Sequence, residues 1–231
     1  MNDHEKVDMK IQRPLILVGV DPGRTSGYGI HCDDLKRDFA RGYAVPHDWH
    51  WGQCKGVNGR DLQTEFGSIL VLISAYYSAE WTIGDESSGE PLMVLRGTGK
   101  GEQWFACPEF HFYIEDQFII DDRKVAKRER MAKQRDALGV ATSKGRWLAI
   151  AETFGFQTHQ VNPTVWREAQ LGRGWGSVPR KQVKRHAVDL ANNIWGLGLK
   201  NNQDHGAEAR FITEYGWIEQ SQIRRMARAG R

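Results

Sequence analysis

Three acidic points in this chain fall at the ends of expected core elements. Asp21 follows Val18-Gly19-Val20 and precedes Pro22-Gly23. Glu115, with Asp116 behind it, follows Phe110-His111-Phe112-Tyr113-Ile114. Asp204-His205-Gly206-Ala207-Glu208 opens a segment with helical spacing. Alone, each is an ordinary turn-former or helix cap, and Asp204 fits a helix N-cap. Together they ask for another explanation. Carboxylates at adjacent strand ends crowd negative charge, which is unfavourable unless a hard cation such as magnesium sits among the oxygens. A pair of such ions about 4 Å apart, facing a polyanion groove, is what in-line phosphodiester hydrolysis requires. Glu208 can share a helix face with His205, three residues back, or with Asp204, four back. Magnesium prefers oxygen ligands and imidazole is a poor one, so chemistry alone leaves both open.

Such a centre needs a scaffold that brings strand ends together. Residues 15–20 form a continuous apolar run, as expected of a strand buried on both faces. The turn signal Asp21-Pro22-Gly23 closes it. Residues 25–30 and 39–45 read as second and third strands, an antiparallel meander. Residues 47–59, rich in Trp, Gly and His, read as a loop. Leu62, Phe66, Ile69, Leu70, Ile73 and Tyr77 have the spacing of a core-facing helix over 61–77. Alternating Gly-rich and apolar pieces across 80–108 suggest an inserted hairpin. A strand at 110–114, a helix at 137–154, a short strand at 159–161 and a helix at 181–194 follow. The last helix runs from 204 or 205 to 215. The expected organisation is one α/β domain over 14–216, after a disordered segment at 1–13 and before a basic tail at 217–231.

Charge points to the partner. Residues 1–122 hold 11 Lys and Arg against 20 Asp and Glu, whereas residues 123–231 hold 21 against 9. The cations cluster: Arg123 to Arg135 carries seven with one acid, and Ala169 to Val188 carries five with none. Arg224, Arg225, Arg228 and Arg231 end the chain. Three clusters in one half point to a polyanion, and none has the apolar face of a membrane-surface helix. Nucleic acid is the expected partner. No apolar run is long enough to span a bilayer, and the start lacks the features of a signal peptide. With three scattered cysteines, Cys32, Cys54 and Cys107, the expectation is a cytoplasmic protein without disulfides or a structural zinc. The 40% hydrophobic content excludes wholesale disorder. Trp49, Trp51 and Trp175 fall in expected loops and are candidates to stack on DNA.

The motifs resemble the RuvC-type Holliday junction resolvases of the ribonuclease-H-like superfamily. Val18-Gly19-Val20-Asp21-Pro22-Gly23 with Gly27-Tyr28-Gly29 is similar to that family's opening, and Tyr113-Ile114-Glu115-Asp116-Gln117-Phe118 to its second acidic motif. His205-Gly206-Ala207-Glu208-Ala209 is similar to its last motif. Residues 139–150 resemble its long helix, and Gly172 to Gly176 with Pro179 to Val183 resembles its Gly-rich loop and basic helix start. The likeness covers about residues 15–45 and 110–215. It implies a mixed sheet of three antiparallel strands followed by parallel strands, flanked by helices. It also implies a homodimer that cuts four-way DNA junctions by paired symmetric nicks, using two magnesium ions or manganese in their place. Asp21, Glu115 and Glu208 would be metal ligands, and the Ala after Glu208 places His205 at a position that is Asp or His in the family. Phe118 would stack on bases, and Arg180 or Lys181 would sit near the scissile phosphate. Lys124, Lys127, Arg128, Lys144, Arg146, Arg173 and Lys184 complete the expected DNA contacts. Glu208 stands where Asp is usual, Asp204 is extra, and 47–60 and 80–108 are surplus. Such divergence, in an expected bacterial or phage-infected cell, resembles a phage-type member. A flap or fork nuclease of the same superfamily and a catalytically silent DNA-binding module are the competing readings. An actin-like phosphate loop at Asp21 would need a second Asp-Gly loop, and the sequence has none in place.

If the run from Arg123 contacts DNA, replacing Lys124, Lys127 and Arg128 together with Ala should lower the slope of log affinity against log salt by up to about 3. An unchanged slope and affinity would make the run a solvated face.

Overall fold

The structure, a computed structural model, describes residues 15–32, 49–54, 64, 66, 67, 69–71, 79–83, 93–97, 105, 106, 109–116 and 127–230. Strand β1 (Leu15–Asp21) is buried throughout, and its side chains alternate between two cores as strand geometry requires. Ile16, Val18 and Val20 pack with Phe66, Ile69, Phe112 and Trp147 on one face. Leu15 and Leu17 pack with Trp166, Val183, Phe211 and Ile212 on the other. A strand apolar on both sides belongs in the middle of a sheet. There β1 lies, antiparallel to β2 (Ser26–Cys32) and parallel to the strand at Glu109–Glu115.

Five strands form the main sheet. Strand β3 (Trp49–Cys54) pairs antiparallel with β2. Strands β4 (Ala79–Ile83), β5 (Met93–Gly97) and β6 (Phe105–Ala106) form a separate antiparallel sheet. Strand β7 (Glu109–Glu115) lies beside β1, and β8 (Gln157–Val161) lies parallel to β7 at the other edge. The order β3-β2-β1-β7-β8, three antiparallel strands and then parallel ones, is the ribonuclease-H-like arrangement that the motifs implied. Helices α1 (Lys127–Thr153), α2 (Pro163–Leu171), α3 (Arg180–Trp195) and α4 (Asp204–Ala229) flank it. Among the described residues, no helix is long and apolar enough to cross a membrane.

Several expectations change. The strand next to β2 is 49–54, inside the expected loop, because Trp is a good strand former even beside Gly. Residues 1–13 and 39–45 lie outside the described residues. The inserted hairpin is β4–β5, extended by β6, which at two residues is too short to show an alternating pattern. Helix α1 starts at 127 rather than 137, since the Lys-Arg-Glu-Arg-Met-Ala stretch is made of strong helix formers. The last helix runs on to Ala229 rather than ending at 215. Gln220 is buried and Arg224 bonds Glu109 Oε2 at 2.6 Å, so the presumed tail is anchored helix. Helix α2 has no counterpart among the expected elements, although Asn162, whose side chain caps Thr164 N, followed by Pro163 is a helix start signal.

What positions the site is how closely α4 lies on β1 and β2. A Cβ at Gly19 would strike the backbone of Thr213, and one at Gly27 would overlap the His205 carbonyl. One at Gly29 would stand 2.6 Å from Thr213 Oγ1. Gly19 and Gly29 face each other in the sheet, as do Asp21 and Gly27. Gly19 N donates to Thr213 Oγ1 at 3.1 Å, and that hydroxyl donates to Ala209 O at 2.8 Å.

Gly27→Ala should therefore lower stability by about 1–3 kcal/mol and displace the start of α4. Gly145→Ala, in α1 with nothing within 4 Å of its new Cβ, should raise stability by about 0.5–1 kcal/mol. Denaturant melts of both variants check this. Equal effects would mean that the close approach is not what holds α4.

Candidate metal centre

The register Val20↔Ile114 brings the next residues, Asp21 and Glu115, to adjacent strand ends. Asp21 is fully buried and Glu115 is nearly so. The first turns of α4 add His205 and Glu208, the latter also fully buried. His205 Nδ1 lies 2.5 Å from Asp21 Oδ2. Asp21, His205 and Glu208 each offer a ligand atom within 4.8 Å of the other two. Glu115 approaches them from β7, its Oε2 accepting from Trp166 Nε1 at 2.8 Å.

Cations ring these acids. Arg167 Nη2 stands 3.6 Å from both Glu115 Oε1 and Glu208 Oε1. Lys184 Nζ is 2.5 Å from Asp204 Oδ2, 3.4 Å from His205 Nε2 and 3.6 Å from Glu208 Oε2. Arg180 Nη2, one turn before Lys184 on α3, is 3.9 Å from Asp21 Oδ1. Burial alone would push Asp21 upward, but its hydrogen bond to His205, the charge of that ring, and Arg180 and Lys184 hold it below the usual carboxylate value. With Asp21 ionised, its neighbours pay in full. Burial first, and then the Asp21 charge, push Glu115 up to about 7 against the pull of Arg167 and the Trp166 hydrogen bond. Burial, Asp21 and Glu115 raise Glu208 well above the ordinary range, with Lys184 and Arg180 opposing.

A hard divalent cation fits these residues. Both oxygens of Glu208 are buried, and neither accepts a hydrogen bond from any described residue. A fully buried carboxylate without a hydrogen-bond donor, facing two more carboxylates and with its nearest cations 3.6 Å away, has room for positive charge at bonding range, and an oxygen-rich set suits magnesium or manganese.

Asp204 is placed differently from the expected cap. The Gln203 carbonyl accepts from Ala207 N, so Gln203 holds the cap position and Asp204 is already helical. Its carboxylate is turned to Lys184, outside the close group of Asp21, His205 and Glu208. Lys184, expected on DNA, is thereby an internal counter-charge. Lys144, also expected on DNA, pairs near the surface, with Nζ 2.5 Å from Asp116 Oδ1 and 2.7 Å from Gln160 Oε1. Arg173 and Lys181 are exposed, Arg180 is exposed at the rim, and Arg146 is half-buried on α1. Trp175 is no free platform, since its ring stacks on His186 at 3.9 Å between centroids. Trp49 and Trp51 lie in β3. Phe118 and Lys124 lie outside the described residues, and Lys127 and Arg128 open α1 with side chains outside that description.

Trp166 and Arg167 were not singled out by spacing or motif. The available signal was an arginine on a core face: Arg167 precedes Leu171 by four residues, and both are buried.

No protein-family model matches the chain, and no curated protein matches it. Among solved structures, one of Thermus thermophilus RuvC aligns at 15% identity over 86% of this chain and 91% of that chain, with a TM-score of 0.42. A second, T. thermophilus RuvC in complex with Holliday junction substrate, aligns at 14% identity over 86% and 90%, with a TM-score of 0.41.

The raised glutamates give a signed pH prediction. An acid whose folded value lies above its unfolded one favours the fold at low pH, and that contribution is lost as pH rises from 4.5 toward about 7 for Glu115, and in the same direction for Glu208. The depressed Asp21 acts only below its ordinary value of 3.8. The depressed His31, His111 and His159 have the opposite trend, gaining stability as pH rises toward 6.5, so a difference measurement is needed. In chelator, the double variant Glu115→Gln, Glu208→Gln should match wild type near pH 4.5 and melt higher than it at pH 8. Magnesium should raise the wild-type Tm more at pH 8 than at pH 5, and should not raise that of the variant. A variant no better off at pH 8 than at pH 4.5 would contradict the charge crowding.

Proposed function

We propose that this chain is a divalent-metal-dependent endonuclease of the RuvC type that cuts branched DNA, four-way junctions above all, by paired symmetric nicks. The observation that carries this reading is the meeting of Asp21, His205 and Glu208 within 4.8 Å, beside Glu115, at the ends of two parallel central strands. The order of the three motifs along the chain and the basic second half support it. Paired nicks call for two centres, so the acting species is a homodimer.

Asp21, Glu115 and Glu208 hold the cation, magnesium with manganese as a substitute. When bound, that ion supplies Lewis-acid activation of water and neutralisation of phosphate charge. His205 keeps Nδ1 on Asp21, which fixes the ring, and its Nε2, 3.4 Å from Lys184 Nζ, is the nitrogen left to take a proton from the attacking water. Asp21 thus orients the base as well as ligating. Arg180 reaches from the rim toward the scissile phosphate, while Arg173 and Lys181 meet flanking phosphates. Arg167 and Lys184 keep the glutamates in place before loading, each shared between two carboxylates.

Four-way junction, Y-fork, flap and linear duplex DNA should be digested side by side with magnesium. Symmetric nicks in the junction, with the linear duplex spared, are expected; equal cutting of all four, or of none, would overturn the reading. Asp21→Asn should lose cleavage by several orders of magnitude yet still bind junction DNA. His205→Ala should lose about a hundredfold or more. Asp204→Asn should keep most activity, because Asp204 stands on Lys184 and not among the ligands. An inactive Asp204→Asn beside an active His205→Ala would exchange their roles.

A further inference from the structure

An α-helix begins with N–H groups that have no partner in the helix, and a side chain at its own cap position ordinarily takes one. Helix α4 lacks that device. Gln203 occupies the cap position, but its Oε1 accepts from Lys200 N at 2.9 Å, back in the preceding loop. The free N–H of Gly206 is satisfied from elsewhere in the fold. Gln53, on β3 and 153 residues away in sequence, accepts it through Oε1 at 3.1 Å. The same amide donates through Nε2 to Asn202 O at 3.4 Å. One bond needs an acceptor and the other a donor, which fixes the orientation of the amide. Gln53 thereby clips both sides of the helix start.

We propose that Gln53 is a positioning residue for the metal centre, acting as a long-range helix cap that sets where His205 and Glu208 stand against Asp21. Its place in the sheet makes this possible. Gln53 is the register partner of Gly27, and Gly27 is where the His205 carbonyl lies on β2 without a Cβ between them. The glycine sets the depth of the helix start on the sheet. Gln53 holds it along the helix axis, at the residue between His205 and Ala207. A helix end held only by packing frays over its first turn, and the first turns of α4 carry both His205 and Glu208. The inference rests on the reading of Asp21, His205 and Glu208 as a metal centre.

Two variants separate positioning from packing. Gln53→Glu keeps the length and the acceptor for Gly206 N–H but gives up the donor to Asn202 O. Gln53→Asn is one methylene shorter and cannot span both partners. Each should be measured without DNA for Mn²⁺ affinity, by electron paramagnetic resonance of the free ion, and, metal-free, for hydrogen exchange of the Gly206 amide. Gln53→Asn should weaken Mn²⁺ binding by about tenfold to a hundredfold and speed Gly206 exchange, as expected for a group that orients ligands without touching the metal. Gln53→Glu should keep Gly206 protected and be less impaired than Gln53→Asn in both. If Gln53→Asn does not fold, Gln53→Met, which keeps the length but has no acceptor, replaces it in both readouts. Wild-type Mn²⁺ affinity in the shortened variant, or a Gln53→Glu as impaired as Gln53→Asn, would overturn the proposal, as would lost affinity with Gly206 still protected. Wild-type protein that binds Mn²⁺ yet nicks no junction would overturn the proposed activity and leave Gln53 to be judged on these two readouts.

Discussion

The structure depends on one steric condition: α4 lies against β1 and β2 with no side chain between backbone and backbone. Gly19, Gly27 and Gly29 provide the flat patch, and Thr213 uses it to bond Gly19 N. Because α4 begins at the end of this patch, its first turns come level with the strand end at Asp21. A helix kept off by even one methyl group would carry His205 and Glu208 away from the carboxylate they face. The glycines of the first motif are therefore requirements on packing before they are requirements on chemistry. Farther along, Gly216 lies as close on the ring of Tyr113, where a Cβ would stand 2.6 Å from Cδ2.

Bringing those acids together has an electrostatic cost that the fold meets with its own cations. Arg167, buried beside Trp166, divides its charge between Glu115 and Glu208, and Lys184 divides its own between Asp204 and Glu208. Neither lies nearer than 3.6 Å to Glu208, too far for a hydrogen bond. The centre is thus held together without being neutralised, which suits a site that takes up a small, doubly charged ion. The same balance divides the carboxylates. Asp21 remains the ionised partner of His205, and the two glutamates carry the raised values.

The parts legible in the sequence were those with a strong local signal. The all-apolar run of β1 announced a central strand, and its stop at Asp21 announced a strand end; Glu115 and the start of α4 were legible in the same way. The sheet order followed from the motifs taken together rather than from any one of them. What stayed hidden depends on distant pairing. Nothing near Gln53 in sequence shows that it faces residue 206, and a Trp- and Gly-rich segment gives no sign of being the third strand until β2 is beside it. Arg167 is hidden for a related reason, since a buried arginine looks like an exposed one until its carboxylates are placed. Lys184, in the basic stretch 169–188, and Lys144 were expected on phosphate, whereas the fold pairs them with Asp204 and Asp116.

The central claim is that the glycine patch and the start of α4 complete a cation site among Asp21, His205, Glu208 and Glu115. Anomalous diffraction from crystals of the protein soaked in Mn²⁺, without DNA, tests it most directly. A peak bonded to carboxylate oxygens of Asp21 and Glu208 is expected. Saturating Mn²⁺ that leaves this cluster without a peak, with Arg167 and Lys184 still on the glutamates, would contradict it.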